Sequence, residues 1–587
     1  MPISRRYLPF FVLAAVQLML ALVLPSVSPA KDELGFAVGA PGVAADPNAP
    51  FDPNAPFDPN NPVGSNAPVD PSNPVDPNAP VDPKTPVDPN AGSGGVAGAP
   101  GAPASPGGTT SQGPGVPGTT PAAGDKSHCK GDLQFGDFPD APPCIAKFPA
   151  GANNGGATYA GVSASEIKVV YYRVMQNPAV DNLLRAADLA STEEEERAFN
   201  EKAAAFINAK YETYGRKVKI EFYAGRCGPS PPNPTCFRDD AKIIAKQFKP
   251  FAVMFANNTN VPEFHDELAR AGIVNLGGWH FSDTFRTGLR PYNYDVFMGG
   301  DFQGKLTAEY YCKRLQGKAA KYAGAELRAT TRKVAILHPD IPANVGPAQT
   351  LLAEIKRCGA KDAQTVAYSS NIQTAQEQST AIIAKLKREG VTSVMIFGDP
   401  IAPAFITKTA TEQAYFPEHV LVGAGLIDYD LLARLYSPPQ WAHAFGMSDL
   451  AEFKPLPQSD AGIVWRSQGG QGTVYKTANT PWGYLAAIAG GIHLAGPNLN
   501  PGTFERGILS IDIGGWERSK DPTRYFTKFG PGDYTAISDA REAYWDASAI
   551  SKVDGKRGAY VSTEGGRRFK AGGWTGGDPK VPAGFGQ

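Results

Sequence analysis

One stretch of the chain, residues 251–276, has the hydrophobic pattern of a β-α-β unit. Residues 251–255 form a short apolar run of the length expected for a strand buried on both faces. A polar loop follows, and apolar residues then recur at three- and four-residue spacing over 261–271, which predicts one buried face of a helix. Gly272 can adopt the left-handed conformation that ends such a helix, and residues 273–276 predict a second strand. Ligands of parallel sheets bind at the carboxyl ends of strands, so the polar loop is a candidate binding loop.

Similar alternation of strand-like and helix-like stretches begins near Tyr159. Further strands are predicted at 167–172, 218–223, 334–337, 364–368, 394–397, 420–423, 543–545 and 558–562. Helices are predicted with a face from Phe199 to Tyr214 and at 239–248, 375–390, 401–413, 481–494 and 503–509, and the helix at 481–494 has an Ala/Gly-rich face. Capping boxes are predicted at Ser191 with Glu194 and at Thr374 with Glu377, and Pro347 is placed at the start of a helix.

These elements predict an α/β protein with two doubly wound parallel-sheet lobes, a hinge and a cleft between the lobes. A disordered, polyproline-rich arm precedes them. The predicted boundaries are a signal peptide at 1–30, the arm and its linker at 31–125, a small disulfide-pinned cap at 126–158, lobe 1 at 159–296, lobe 2 at 297–440, a return to lobe 1 at 441–514 and a return to lobe 2 with a tail at 515–587.

The N-terminal segment has the features of a secretory signal. Arg5 and Arg6 precede an apolar run over 10–24, and small residues lead to Ala30, after which cleavage is expected. The protein is therefore expected to be exported and to lie outside the cytoplasm, secreted or at the cell surface. The alternative is an uncleaved anchor, which would be the protein's only attachment to a membrane, since the run is only slightly short for a span.

Residues 46–90 repeat a six-residue unit, seen as DPNAPF, DPNNPV and DPKTPV, with prolines three residues apart. Three residues per turn is the period of the polyproline II helix, so this arm is expected to be extended and solvated. A spacer is favoured over a docking motif of the PxxP kind. The following Gly-, Ala- and Pro-rich residues to 125 predict a flexible linker.

The chain has six cysteines, an even number that in an exported protein favours disulfides. Fifteen connectivities are open, and the local pairs are preferred: Cys129–Cys144, Cys227–Cys236 and Cys312–Cys358. The alternative is a metal site, but no C-x-x-C occurs and no histidine stands at ligand spacing from a cysteine. We expect no metal and no cofactor.

Composition narrows the function further. The formal net charge is −1, and the chain lacks a long basic run, which argues against nucleic acid as a partner. The sequence contains no G-x-S-x-G, H-E-x-x-H or G-x-x-x-x-G-K-[ST] motif, so an enzyme is not expected. A hydrolase on an unusual α/β scaffold remains a minor alternative.

From Ile167 to about Trp574 the chain resembles the solute-binding proteins of ABC importers, of the leucine/isoleucine/valine-binding type. The resemblance is carried by IKVVYY, FANNTNVPEFHDELARAGIVNL, YDVFMGGDFQGKLTAEYYC, KVAILHPD, TSVMIFGDP, VLVGAG and PWGYLAAIAGGIHLAG. It implies a monomer that clamps a small-molecule ligand between its lobes and passes it to an ABC permease. The alternative is a cell-surface sensor or adhesion module on the same fold, without transport.

The resemblance also implies a ligand site at the strand-end loops. The candidate residues are Arg173, Asn257, Asn258, Thr259, Trp279 and His280 on lobe 1, and His338, Asp340, Asp399 and Asp428 on lobe 2. Amino-acid binders of this type have an acidic group near the position of Leu426 and Ile427, so this chain departs from them. Each candidate has a structural alternative: the asparagines fit a turn, Trp279 a core aromatic, His338 a buried histidine and Asp399 a helix cap.

Overall fold

The computed structural model describes residues 124–587, except 176, 229, 256–260 and the side chain of Trp516. The predicted signal peptide, the Pro-rich arm to residue 123 and the predicted binding-loop residues Asn257, Asn258 and Thr259 lie outside the described residues. Within the part that is described, no helix is long and apolar enough to cross a membrane.

The first lobe is built on a five-stranded parallel sheet in the order β2-β1-β3-β4-β5. Its strands are β1 (Glu166–Arg173), β2 (Lys217–Ala224), β3 (Ala252–Phe255), β4 (Val274–Leu276) and β5 (Asn293–Tyr294). Its helices are α1 (Pro178–Ala186), α2 (Glu193–Lys210), α3 (Pro234–Ile243), α4 (Pro262–Arg270) and α5 (Asp283–Gly288). The predicted β-α-β unit is confirmed as β3, α4 and β4, and Gly272 follows α4 with φ of 74°.

The second lobe has an eight-stranded sheet. Seven of its strands follow the order β14-β13-β10-β9-β8-β6-β7, and the eighth, β15, also pairs with β13. The strands are β6 (Val334–Pro339), β7 (Gln364–Tyr368), β8 (Ser393–Ile396), β9 (Glu418–Val422), β10 (Ala444–Ser448), β13 (Asp539–Ile550), β14 (Arg557–Ser562) and β15 (Arg568–Lys570). Its helices are α6 (Gly300–Arg314), α7 (Pro342–Arg357), α8 (Ala375–Arg388), α9 (Ala402–Glu412), α10 (Asp430–Ala433) and α11 (Pro438–Trp441). Strands β6 to β10 are parallel, whereas β13 runs antiparallel to β10. The two-lobe α/β fold class is thus as the sequence predicts.

The chain returns to the first lobe through α12 (Asp460–Ser467), α13 (Asn479–Ala495) and α14 (Pro501–Leu509). Their apolar faces share one core with β1 and β3. A two-stranded antiparallel ribbon of β11 (Asp512–Ile513) and β12 (Thr527–Lys528), joined through α15 (Gly515–Ser519), completes this region. The chain therefore crosses between the lobes three times, after β5, after β10 and before β13.

Several local predictions need correction. The capping box of α2 is formed by Thr192 and Glu195, because the hydroxyl of Ser191 instead donates to Glu196. Helix α2 ends at Lys210, so Tyr214 is buried in the following turn and not on the helix face.

Two further helix starts differ from the prediction. Pro347 lies inside α7, because Pro342 takes the first helical position, where a missing N–H costs nothing. The side chain of Thr374 does not cap α8, because a 3₁₀ turn (Ile372–Thr374) precedes that helix and is capped by Asn371.

The helix predicted at 239–248 begins earlier than expected, at Pro234 after the N-cap Asn233, and it ends in a π-helical turn (Ile244–Phe248). The predicted boundary at 441 also cuts β10 away from its sheet. Strand β10 pairs with β9 and β13, so the second lobe continues to Ser448.

The cysteines form three disulfides, Cys129–Cys144, Cys227–Cys236 and Cys312–Cys358, which are the pairs preferred from sequence. The first of these closes the cap, the segment 126–148. In the cap, Phe135 packs edge-to-face against Phe206 of α2, and Phe138 stacks on the same ring. Phe138 also contacts Trp482 of α13. The cap is therefore part of the hydrophobic core of the first lobe and not a separate module.

Candidate ligand-binding cavity

A cavity of about 640 Å³ lies between the two lobes. The first lobe contributes the loop after β1, helix α1 and the loop after β4, and its aromatic and apolar lining includes Met175, Leu184, Trp279 and Phe297. The second lobe contributes the loops after β7, β8 and β9. Its lining residues include Tyr368, Asp399, Phe405, Leu426 and Tyr429. The site thus lies at the carboxyl ends of both sheets, where parallel sheets bind their ligands.

Direct contacts join the lobes on one side of this cavity. The hydroxyl of Ser230, in the loop pinned by Cys227–Cys236, donates to the carbonyl of Ser370 at 2.6 Å and accepts from the backbone N–H of Ile372 at 3.2 Å. The side chain of Asn177 holds the same loop by donating to the carbonyl of Ser230 at 3.1 Å. The lobes are therefore in contact in this structure along one side of the cavity.

A second set of contacts lies on another side of the cavity. Leu189 of the first lobe packs in one apolar cluster with Leu431, Leu432 and Val553 of the second. Lys476 adds an ion pair across the same region, 3.6 Å from Asp554. Most of these contacts are apolar. They therefore hold the two lobes together whatever the charge of the ligand.

Two of the residues proposed from sequence line the cavity. Trp279 lies in the loop after β4, with its ring 5.1 Å from that of Phe297 in an edge-to-face contact. Asp399 follows β8, and its carboxylate accepts from the backbone N–H groups of Ile401 at 2.7 Å and Ala402 at 3.2 Å. Asp399 therefore accepts hydrogen bonds at the start of α9 and is also part of the cavity wall. Its role at the helix start does not exclude a role in binding.

The environment of Asp399 affects its charge. The hydroxyl of Tyr368 donates to the second carboxylate oxygen at 3.2 Å. Burial raises the pKa of Asp399, while the three donated hydrogen bonds oppose that rise. The side chain is therefore placed to accept a hydrogen bond from a ligand.

The other described candidates do not line the cavity. Arg173 pairs with Glu196 at 3.0 Å, and Asp340 is exposed. His280 is buried with Nδ1 3.0 Å from Gln303, and burial lowers its pKa to about 4. His338 donates from Nδ1 to its neighbour's carbonyl at 2.8 Å. Asp428 is buried, accepts from Ser448, and has a pKa raised by burial.

Reasoning from sequence missed most of the wall. Helix α1, which begins at Pro178 after the N-cap Asn177, lines the first-lobe side through Val180 and Leu184. The Asn-Pro pair is a signal of a helix start and could have revealed this element. Phe405 lies on the cavity side of α9. Its neighbours in the sequence are also apolar, so the sequence did not distinguish it from a core residue.

Apart from Asp399, the charged groups in the described wall have partners of opposite sign. Asp140 pairs with Arg524 at 2.6 Å, and Lys454 lies 3.9 Å from Asp460. Burial raises the pKa of Asp460 to about 6. None of the described lining residues is an arginine or a histidine. The described wall thus offers hydrogen bonds and apolar contacts, but no arginine fork for a carboxylate or phosphate.

No protein-family model matches the sequence, and no curated protein matches it. Solved structures of similar fold exist. The solute-binding protein of an ABC transporter from R. palustris, solved in complex with 4-hydroxybenzoate, gives a TM-score of 0.50 at 14% identity, over 69% of this chain and 97% of that chain.

Two other solved structures match a similar share of the chain. A periplasmic binding protein type 1 from Bordetella pertussis Tohama I gives a TM-score of 0.48 at 16% identity, over 68% of this chain and 100% of its own. The branched-chain amino acid binding protein LivJ from Streptococcus pneumoniae, in complex with isoleucine, gives 0.45 at 14% identity with 68% and 100% coverage. The chain has the type I periplasmic-binding-protein fold, that of the solute-binding proteins of the leucine/isoleucine/valine-binding type.

Proposed function

We propose that this protein is an exported, non-enzymatic solute-binding protein that closes its two lobes on a small molecule and presents it to an ABC permease. The observation that carries the proposal is the cavity at the carboxyl ends of both sheets, bridged by direct contacts between the lobes. Such an arrangement binds by favouring the closed state, because only that state completes the site.

Within the cavity we propose Trp279 and Phe405 as apolar contacts and Asp399 as a hydrogen-bond acceptor for the ligand. Asn257, Asn258 and Thr259 remain proposed contacts on the first lobe. The 4-hydroxybenzoate complex of the R. palustris protein supports an aromatic solute on this fold. An amino acid is disfavoured, because Leu426 lines the cavity where amino-acid binders of this type have an acidic group.

The test is to purify the full chain and identify, by mass spectrometry, the small molecules that it releases on denaturation. Removing the ligand should open the lobes, which small-angle scattering measures as a larger radius of gyration, and adding it back should reverse the change. Trp279→Ala and Phe405→Ala should weaken binding, because both side chains are half-buried in the wall. Ile550→Ala, on an exposed side chain, is the control. No released molecule and no lobe opening would reject the proposal.

The export and permease parts have separate tests. Cell fractionation should find the protein outside the cytoplasm, and ligand uptake by intact cells should require it. If uptake is unchanged without the protein while binding in vitro is intact, the sensor alternative replaces transport.

A further inference from the structure

The cavity continues beyond the contact between the lobes, along one face of α13. Gly483, Ala486, Ala487 and Gly490 all line it and stand at positions i, i+3, i+4 and i+7, so they share that face. Gly483, Ala486 and Ala487 stay partly exposed, whereas Tyr484 next to them is fully buried. Seven residues of helix correspond to about 10 Å.

The surroundings of the two glycines show where this face begins and ends. A methyl group on Gly483 would lie 3.7 Å from Val296, in the first crossing between the lobes. A methyl group on Gly490 would lie 3.1 Å from Ile511, next to the β11–β12 ribbon. Space therefore follows this face from the interlobe crossing to Ile511, which packs closely on Gly490, and we call this part of the cavity the inner compartment.

The walls opposite α13 are mainly apolar. The ribbon region contributes Ile513 and Phe529, and the cap contributes Phe138, Pro142 and Pro143. The charged side chains at this end, Asp140 and Asp460, are paired with Arg524 and Lys454. The interlobe end instead has hydrogen-bonding groups of the second lobe, Tyr368, Ser369, Gln378 and Asp399.

The size of the cavity agrees with an occupant larger than a single amino acid. At about 640 Å³ it is in the range of sites that enclose drug-sized molecules, about 300–1,000 Å³. The charged side chains at the ribbon end, Asp140 and Asp460, already face Arg524 and Lys454. Asp399 has only hydrogen-bond donors around it, so an anionic occupant, and not a cationic one, lacks an unpaired partner among the described lining residues.

We propose that the ligand is an elongated, mainly apolar molecule without an anionic group, with a polar head at the interlobe loops and an apolar tail along α13 beneath the cap. This inference rests on the proposed function, whose site it extends and whose ligand class it names. The small residues of α13 admit the tail, and the disulfide-closed cap covers its end.

The experiment measures how affinity depends on tail length. The neutral fluorescent probe N-phenyl-1-naphthylamine is bound to the full chain and displaced by straight-chain primary alcohols from butanol to dodecanol. Each methylene that enters the inner compartment should tighten binding about fourfold, the factor that corresponds to about 0.8 kcal/mol per buried methylene. The gain should stop once the tail reaches the cap. Leucine should not compete, and decanoate should bind more weakly than decanol.

A blocking variant locates the tail. Ala487→Phe should weaken dodecanol at least tenfold and leave butanol within twofold, because the ring fills the inner compartment but not the interlobe end. Ala486→Leu is a milder second block for use if the first variant does not fold. The matched control is Ala209→Phe on the exposed side of α2, which should change neither alcohol.

The outcomes separate the two proposals. Three results would overturn the elongated ligand without an anionic group: affinity independent of tail length, equal loss of butanol and dodecanol in both blocking variants, or tighter binding of decanoate than of decanol. The proposed function would survive those results if a released small molecule still closed the lobes in scattering. If neither the probe, the alcohols nor any released molecule closed the lobes, both proposals would fail.

Discussion

The two lobes share a parallel-sheet core but fill their interiors differently. Around its first sheet, the first lobe buries a network of aromatic rings in which Phe135, Phe138, Phe206, Tyr211 and Trp482 contact one another. Among the described residues, the first lobe buries one ion pair of this kind, Arg286 with Asp295 at 3.0 Å. The second lobe buries three: Arg314 with Glu542 at 2.6 Å, Arg332 with Glu418 at 2.8 Å, and Arg568 with Asp539 at 2.9 Å. All eight of these side chains are at most 1% exposed.

This difference in packing predicts that substitutions will destabilise the two lobes in different ways. Apolar packing loses free energy in proportion to the atoms removed, so damage to the first lobe should be graded. A buried ion pair fails abruptly, because losing one partner leaves the other desolvated and uncompensated. The second lobe should therefore be the more sensitive to single changes of charge.

The largest effect is expected at Glu418, whose carboxylate receives two hydrogen bonds from Arg332 at 2.8 Å and one from Ser393 at 2.7 Å. Glu418→Gln should lower the free energy of unfolding by about 3–5 kcal/mol, because it leaves the Arg332 charge buried. Urea denaturation followed by circular dichroism measures this. The double variant Arg332→Met with Glu418→Leu should recover much of the loss, and a double variant as unstable as the single one would contradict the explanation.

The next effect tests the packing of the first lobe. Leu268 on α4 is fully buried, and Leu268→Ala should cost about 2–5 kcal/mol through lost burial and the cavity left behind. Ile550→Ala removes as many carbon atoms from a side chain that is 57% exposed, so it should stay within about 0.5 kcal/mol. Equal effects of the two changes would remove the distinction between core and surface on which the comparison depends.

A smaller effect, on binding, is expected at Asp399. Asp399→Asn should weaken the affinity for the released ligand by about 1–3 kcal/mol, roughly 5- to 150-fold, because a hydrogen bond to the carboxylate is lost. Unfolding of the ligand-free protein should change little, since an asparagine oxygen can still accept from the N–H groups at the start of α9. Isothermal titration calorimetry measures the affinity. Unchanged binding with lowered stability would make Asp399 a helix cap only.

The smallest effect is a pH dependence in the first lobe. Burial raises the pKa of Asp460 to about 6, so the folded state disfavours its ionised form. Stability should therefore fall as the pH rises from about 4 to about 6, and Asp460→Asn should abolish that fall. The gain at pH 8 should be about 1 kcal/mol, because the side chain keeps 29% of its exposure and solvent screens the charge. At pH 4 the two proteins should be equally stable.

The control for this measurement is Asp239→Asn, on a side chain that is 51% exposed. It should change stability by less than about 0.5 kcal/mol at either pH. A pH 8 gain of the same size in this variant would show that net charge, and not the burial of Asp460, causes the effect.

The sequence predicted those parts of the fold that depend on hydrophobic periodicity. Strands β1, β3 and β6 and helix α13 are near their predicted positions, because each has a long apolar face that only burial satisfies. Helix α1 was missed because none of its residues is buried, and its N-cap is its main signal. The ribbon of β11 and β12 was missed because each of its strands has only two residues.

The candidate site was predicted less completely, for a geometric reason. Trp279 and Asp399 line the cavity because both follow the ends of strands. His338 was expected in a loop, but β6 extends to Pro339 and keeps the histidine inside the strand. The Ala/Gly-rich face of α13 was visible in the sequence. Its role as a cavity wall depends on the cap and the ribbon, which are distant from it along the chain.

The three crossings between the lobes also constrain how the protein is made. Strand β13 lies inside the second sheet, between β10 and β14, yet it is synthesised after α12, α13 and α14 of the first lobe. Neither lobe is a continuous segment, so a nascent chain cannot finish one before starting the other, as proteins with sequential domains do. Until β13 emerges, β10 presents an unpaired edge. A partly synthesised chain therefore needs protection from aggregation, and a fragment that ends before β13 should not yield a stable second lobe.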